Sequence, residues 1–506
     1  MTLIKIVFSS LFMGLLLFNC GNSNIQSKTT EPDGLKSKPN VLFIAVDDLR
    51  PLLGCYDVAF AQTPEIDKLA SEGRLFKNHY VQVATCGASR SSMLRSRYPR
   101  TKNELHNKEA FNAIPRGASN LARTMPELFR KNGYETVCIG KISHSDDGWL
   151  NKNAIRDSTN HDLPNAWDKV LTPLGNWKQS LVVAYPNGKD RDDGSGYMPY
   201  SLFPDIKDNE LPDGMFAETA INHLKTYKKS DKPFFMALGF LKPHLPFVAP
   251  KRYYDIYKNV EIPSKNAMKK GQTRKANKSA EFYKYKTNRP FERPQGKETL
   301  SEKDAQDIRR AYMACVSYID TQIGKVLKVL KENGLSENTV VVLWGDHGWH
   351  LGENNVWGKH TPLERALHSP LIIKTPQPQK QGIATNALAA SIDLYPTLID
   401  VCNLQNTATY LPLEGISLLP VINNPKIKVR DDVLSFWRGS ATVVDNQYRL
   451  IVSGNAPKFN YELYDHKTDP GELKNISKKH TTATNKLMES LKKTYPSVLV
   501  KHNNSN

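Results

Sequence analysis

The sequence predicts an α/β fold: a large, mostly parallel sheet sandwiched by helices, followed by a small C-terminal antiparallel sheet with one helix. Three observations carry this. From Asn40 onward, continuous apolar runs recur where half-exposed strands would alternate, the signature of strands covered on both faces. Between these runs lie stretches whose apolar residues repeat with the helical period. After about Val429 the texture changes to short strands in quick succession. A chain of 506 residues, 39% hydrophobic and 24% charged, has the composition of a globular protein and the length for one large core plus an appended unit.

The elements follow in order. Val41-Leu42-Phe43-Ile44-Ala45-Val46 is an uninterrupted apolar run that Asp47-Asp48 ends. Thr63-Pro64 and Gly73 bracket a short helix, with proline at its start and glycine past its end. Tyr80 to Val83 reads as a strand entering Cys86-Gly87-Ala88-Ser89-Arg90, after which Ser91 to Leu94 suits a helix. Asn132-Gly133 stops another helix, and Tyr134 to Ile139 is a strand closing on Gly140-Lys141. Phe234 to Phe240 is a strand that delivers Lys242-Pro243-His244. A long helix from about Asp304 to Glu332 sets Ile308, Tyr312, Cys315, Ile319, Ile323, Leu327 and Leu330 on one face. The strand Thr339 to Leu343 then leads to Gly345-Asp346-His347-Gly348. Strands at Val433–Phe436, Ala441–Val444 and Gln447–Val452 and a helix near Thr481–Lys493 make the C-terminal unit. The expected division is a signal at 1–20, a tether at 21–38, a catalytic domain at 39–428 and a C-terminal subdomain at 429–500.

Lys5, the apolar stretch Ile6 to Phe18 and Asn19-Cys20-Gly21 read as an export signal, too short for a spanning helix. Leu17-Phe18-Asn19-Cys20 resembles a loose bacterial lipoprotein box, with Cys20 as the lipidated first residue of the mature protein; a plain secretory signal cut nearby is the alternative. Either reading predicts export, to the periplasm or outer membrane of a Gram-negative bacterium, with membrane contact only through that anchor. The net charge of +18 favours polyanionic partners, and nucleic acid, anionic lipid and sulfated glycans all qualify. Its densest stretch, Lys269 to Lys297, has no helical or strand period and reads as a solvated loop or a rim that steers a polyanion. The six cysteines, Cys20, Cys55, Cys86, Cys138, Cys315 and Cys402, show no zinc or dithiol spacing.

Ligands of open α/β sheets bind beyond the carboxyl ends of the strands. Here four strand ends carry polar chemistry: Asp47 and Asp48; Lys141 and His144; His244; Asp346 and His347. Each alone is more often a turn or a helix cap. Cys86, between a strand and a helix, would lie beside free helix amides that attract an anion.

The segments Asn40 to Arg50, Cys86 to Arg90, Gly140 to His144, Lys242 to Phe247, Gly345 to Gly348, Trp357 to His360 and Glu462 to Asp465 together resemble the formylglycine-dependent sulfatases, most of all their iduronate 2-sulfatase branch. The resemblance covers nearly all of the chain beyond the signal. It implies an alkaline-phosphatase-like sulfatase fold and a sulfuric ester hydrolase. Cys86 would be oxidised by a formylglycine-generating maturation enzyme to an aldehyde (3-oxoalanine), whose hydrate attacks sulfur, with Arg90 holding it. Asp47, Asp48, Asp346 and His347, with the modified Cys86, match ligands of one calcium ion. Lys141 and Lys359 match sulfate-binding lysines, His244 the acid for the leaving alcohol, and His144 the base that collapses the sulfated intermediate. The implied partner is a sulfated carbohydrate, ulvan-like or glycosaminoglycan-like, with uronate or rhamnose sulfate as candidates, and no nucleic acid. Ala88 stands where the motif more often has proline, so the maturation enzyme must accept alanine. Two rivals remain: a phosphate or phosphonate ester hydrolase of the same superfamily, which would more often use Thr or Ser with zinc, and a non-catalytic lipoprotein that binds polyanions.

Overall fold

Eight strands form the central sheet of the computed structural model: β1 (Asn40–Val46), β2 (Arg74–Tyr80), β3 (Glu135–Gly140), β4 (Lys169–Val170), β5 (Phe234–Phe240), β6 (Thr339–Gly345), β7 (Leu371–Lys374) and β8 (Thr385–Ala390). Their order is β8-β2-β7-β6-β1-β5-β3-β4. Only β7 runs against its neighbours. The structure describes residues 38–263 and 301–495, apart from 113, 118, 147, 149–160, 178–179, 197–198, 228–231, 377–381 and 456–457. The expected signal with Cys20, the tether up to residue 37 and the basic run Lys269 to Lys297 lie outside the described residues.

The apolar runs become the middle of the sheet for the reason the sequence suggests. Every residue of β1, β5 and β6 is buried, and strand side chains alternate faces. Leu42, Ile44 and Val46 therefore enter one core with helices α1 (Pro64–Glu72), α4 (Pro212–Thr226) and α5 (Glu302–Glu332). Val41, Phe43 and Ala45 enter the other, with α2 (Cys86–Arg95), α3 (Met125–Lys131) and α6 (Leu394–Val401). Helix α5 starts two residues earlier than expected, where the Ser301 side chain accepts the N–H of Asp304 and caps it.

One strand is misplaced by pattern reading. Of the expected strand from Tyr80 to Val83, only Tyr80 belongs to β2, whose run of Arg74, Lys77, Asn78 and His79 hides it. Beyond Tyr80 the chain turns: Val81 N–H bonds to Leu367 C=O at 3.0 Å, and the Gln82 side chain accepts Ile392 N–H at 3.1 Å. Cys86 thus follows a pinned irregular segment, in which Val83 makes a single parallel bridge to Phe436, rather than a continuous strand.

The C-terminal sheet is antiparallel in the order β9 (Val433–Trp437), β10 (Ser440–Val444), β11 (Tyr448–Asn455) and β12 (Lys458–Asp465), with α7 (Thr481–Thr494) after it. The pattern had not indicated β12, an edge strand with mostly polar residues. Leu434, Val443, Leu463 and Leu487 share a core with Tyr80, Val81 and Leu388. Backbone bonding extends this contact, Phe436 N–H to Gln82 C=O at 2.7 Å. The small sheet therefore buttresses the segment that leads to Cys86. No helix among the described residues is long and apolar enough to cross a membrane.

Candidate active site

In-register parallel strands end at one level, and the bonding ladder runs one residue past their ends. Asp47 N–H reaches Phe240 C=O (3.1 Å), Asp346 N–H reaches Val46 C=O (3.2 Å), and Lys141 N–H reaches Gly239 C=O (2.9 Å). That places Asp47, Lys141 and Asp346 side by side although they are far apart in sequence. Asp48 turns with a left-handed φ of 61°, a conformation that costs a non-glycine residue roughly 1 kcal/mol. Its N–H donates to Asp346 Oδ1 at 3.0 Å and its C=O accepts the Tyr312 hydroxyl at 2.8 Å, which together hold the turn.

Helix α2 brings the motif to this line. Cys86 is its first residue, and Asn107 Oδ1 takes the Gly87 N–H at 2.9 Å and the Thr85 hydroxyl at 3.0 Å, anchoring the helix start. One turn on, Arg90 is fully buried. A charge there needs partners: Nε donates to Asp346 Oδ2 at 2.8 Å, Nη2 meets Asp47 Oδ1 at 3.4 Å, and Nη1 reaches Lys141 C=O.

The Cys86 sulfur is where these groups converge. Lys359 Nζ lies 3.1 Å from Sγ, His347 Nε2 3.3 Å and Asp48 Oδ1 4.0 Å. Lys359 also binds Asp48 Oδ1 at 2.8 Å, and Lys141 binds Asp47 Oδ2 at 2.6 Å. Burial, with the Asp47 carboxylate, pushes the Cys86 thiol well above its ordinary range, so the plain thiol is a poor nucleophile here. Burial works against ionised Asp47 too, but Lys141 and Arg90 outweigh it and hold the carboxyl well below the usual range. Lys141 is correspondingly raised: burial lowers it, and Asp47 more than restores it.

Asp47, Asp48, Cys86 and His347 offer ligand atoms within 4.8 Å of one another, enough to hold a metal ion. Asp346 borders this set; its Oδ1 lies 3.6 Å from His347 Nε2 and accepts the Asp48 N–H, which leaves a second lone pair. Two or three carboxylate donors suit a hard cation, and the histidine is its least comfortable ligand. Charge balance agrees. Three carboxylates (Asp47, Asp48, Asp346) against three cations (Arg90, Lys141, Lys359) sum to zero, so a bound divalent ion leaves the site positive and ready for an anion.

The two histidines flank this centre. Burial, then Lys141, lower His144 to about 3, which keeps its ring neutral, and its Nδ1 is buried without a hydrogen-bond partner. His244 is buried, with Nδ1 against Leu245 C=O, and it lies close enough to Asp47 to help lower that carboxyl. Two supporting residues escaped the sequence reading. Asn107 has no local signal. Lys242 had one, its place in Lys-Pro-His: its buried Nζ donates to the carbonyls of His244 (2.9 Å), Pro246 (2.7 Å) and Val182 (3.3 Å), fixing the loop that presents His244.

A buried cluster of carboxylates and ammonium groups around one helix-start side chain, beyond the ends of a parallel sheet, with ligand atoms that could hold a metal ion, is the arrangement of a hydrolase of an anionic ester. Residues 39–404 match the sulfatase family, and 352–498 match the C-terminal region of N-sulphoglucosamine sulphohydrolase. The chain belongs to the sulfatase family and is a sulfuric ester hydrolase. It is 29% identical over 475 residues to a sulfatase of Formosa agariphila, covering 91% of this chain and 87% of that one. It is 31% identical over 408 residues to human iduronate 2-sulfatase, covering 74% of this chain and 71% of that one. Its fold is like that of the phosphonate monoester hydrolase of Agrobacterium radiobacter, with a TM-score of 0.71, 21% identity, and 91% and 96% of the two chains covered.

Proposed function

We propose that the protein removes sulfate esters from a sulfated polysaccharide or its oligosaccharides, glycosaminoglycan-like or ulvan-like, through a formylglycine hydrate at position 86. The observation that carries this is the approach of Lys359 and His347 to the sulfur of a cysteine whose own thiol is held protonated. The substrate class is supported by the net charge of +18 and by the likeness to iduronate 2-sulfatase.

In this reading Cys86 Sγ stands in for a hydrate oxygen. That oxygen, ionised with its proton released to solvent, attacks sulfur, the S–O bond to the sugar breaks, and His244 gives the leaving alcohol its proton. Lys141 and Lys359 offset the charge that builds on the sulfate oxygens. Neutral His144 then takes the proton of the second hydrate hydroxyl; the C–O bond to sulfate breaks, sulfate leaves, and the aldehyde returns to be rehydrated by water. Arg90 holds the modified side chain. A calcium ion on Asp47, Asp48, Asp346, His347 and the modified residue would polarise a sulfate oxygen and lower the pKa of the hydrate.

Export as a periplasmic or outer-membrane lipoprotein, with Cys20 lipidated and a formylglycine-generating enzyme as partner, belongs to the same proposal and is supported by the signal-like residues 1–20. The test combines peptide mass analysis of residue 86 in active protein with turnover of aryl sulfate, aryl phosphate, aryl phosphonate and defined sulfated oligosaccharides. An aldehyde at 86 with sulfate release from oligosaccharides is the expected result. An unaltered thiol in fully active protein, or faster turnover of phosphonate than of sulfate, would overturn it.

A further inference from the structure

The hairpin of β9 and β10 turns in two residues, Arg438-Gly439, between the paired Trp437 and Ser440. Both positions of so tight a turn favour glycine or asparagine, yet Arg438 occupies the first with a φ of 48°. A non-glycine residue held in a left-handed conformation on an exposed tip is a strain that other parts of the fold must offset, and such residues gather at functional sites.

What surrounds Arg438 indicates its use. The guanidinium lies over the Trp437 ring, 5.1 Å from its centroid, and Arg438 has no carboxylate partner among the described residues. Trp437 in turn stacks on His360, with centroids 4.8 Å apart and planes within 10°. His360 follows Lys359, and its Nε2 lies 3.4 Å from Oγ1 of Thr85, the residue before Cys86. Trp437 also packs on the small cluster of Val83, Ala88 and Ala110 beside helix α2. The stack His360–Trp437–Arg438 therefore begins next to Lys359, which meets the Cys86 sulfur, and against Thr85, the residue before Cys86, and it ends in a cation with no carboxylate partner among the described residues. Arg438 also lines a cleft with Arg100, Thr101, Leu105 and Ser440, and Arg100 is already engaged by Glu414.

We propose that Arg438, braced on Trp437, is a specificity-determining residue that binds an acidic group, a uronate carboxylate or a second sulfate, on the saccharide bearing the scissile ester. This rests on the sulfatase reading above. A planar guanidinium fork matches a carboxylate or sulfate edge, and stacking on Trp437 keeps the fork oriented. The acid group adds binding without touching the reacting atoms, so its effect falls on affinity rather than on turnover of small esters.

The test uses fully converted enzyme, an aryl sulfate as reporter substrate, and sulfated disaccharides as competitors: one carrying a uronate, the same one with its carboxyl reduced to an alcohol, and one lacking the second sulfate. Arg438→Gly should turn over the aryl sulfate as the wild type does and melt no lower, because glycine relieves the turn. Its inhibition constant for the uronate disaccharide should rise 10–100-fold, the range of a lost charge-assisted pair, and Arg438→Lys should recover part of it. If the reduced disaccharide inhibits wild type and variant alike, the carboxylate is the group read; if the disaccharide lacking the second sulfate does so, that sulfate is. Equal inhibition of wild type and Arg438→Gly by all three overturns the proposal, as does loss of aryl sulfate turnover in Arg438→Gly. A wild type converted at 86 that never hydrolyses aryl sulfate overturns the sulfatase reading itself.

Discussion

Replacing Gly87 with alanine isolates the link between packing and chemistry. Alanine is the better helix former by roughly 1 kcal/mol, and Gly87 sits in α2, so propensity alone predicts a more stable protein. The tertiary contact predicts the reverse. A methyl group on Gly87 would lie 2.3 Å from the backbone O of Asn107, 2.6 Å from its Cα and 2.7 Å from its carbonyl carbon, where ordinary contact begins near 3.4 Å. Backbone cannot rotate away as a flexible side chain can, so the helix start must retreat by about 1 Å, at the ~1–3 kcal/mol typical of overpacking. Cys86 moves with it, away from Lys359 and His347. A displacement of that size at the reacting group costs roughly 10²-fold in rate. The assay is kcat/KM on an aryl sulfate, together with the melting temperature and peptide mass analysis to establish that residue 86 is converted equally in both proteins. A converted Gly87→Ala enzyme with wild-type kcat/KM and an unchanged or higher melting temperature would refute the reasoning.

Arg449→Met should destabilise the fold by ~1.5–3 kcal/mol in denaturant titration, because the buried guanidinium lies 2.5 Å from Glu364 and 2.8 Å from Glu472, which keep His368, Tyr80 and His466 as side-chain partners without it; a loss below ~1 kcal/mol, the scale of an exposed pair, would refute that. Asp320 is lifted by burial to about 7, from an ordinary 3.8. The folded state therefore keeps a proton that the unfolded chain releases near pH 4, and this group's contribution to stability is complete below pH 4 and lost as pH rises through 7. Asp320→Asn keeps the acceptor for Ile66 N–H but loses that for Glu65 N–H, so its melting temperature relative to the wild type should be lower at pH 4 and rise by pH 8, and the same difference at both pH values would contradict it. Chelation of divalent ions should abolish turnover, and calcium at ~100 times its Kd should restore it while adding about 2.7 kcal/mol of stability; recovery with zinc but not calcium would change the proposed ion.

The apolar runs that became β1, β5 and β6 were legible because strands buried on both faces leave no room for polar residues. The same logic exposed the four strand ends, since an aspartate, lysine or histidine placed just after such a run has little choice but to sit at the sheet's carboxyl edge. β12 was obscured because it has a partly exposed, polar face, and β2 because it buries the polar side chains of Arg74 and His79; the strand character of both comes from pairing partners.

The local order of residues set which side chains reach the strand and helix ends: a cysteine and an arginine one helical turn apart at a helix start, and carboxylates and lysines following buried strands, because strand and helix periods are local properties. What local order could not set is who meets whom. That Asn107 anchors the helix start, that Lys359 rather than Lys141 touches the Cys86 sulfur, and that Trp437 from the C-terminal hairpin packs on Val83 and Ala88 on either side of Cys86 all depend on contacts between segments 20 to some 350 residues apart. Such pairings arise from packing two sheets against a shared core, and no periodicity along the chain encodes them.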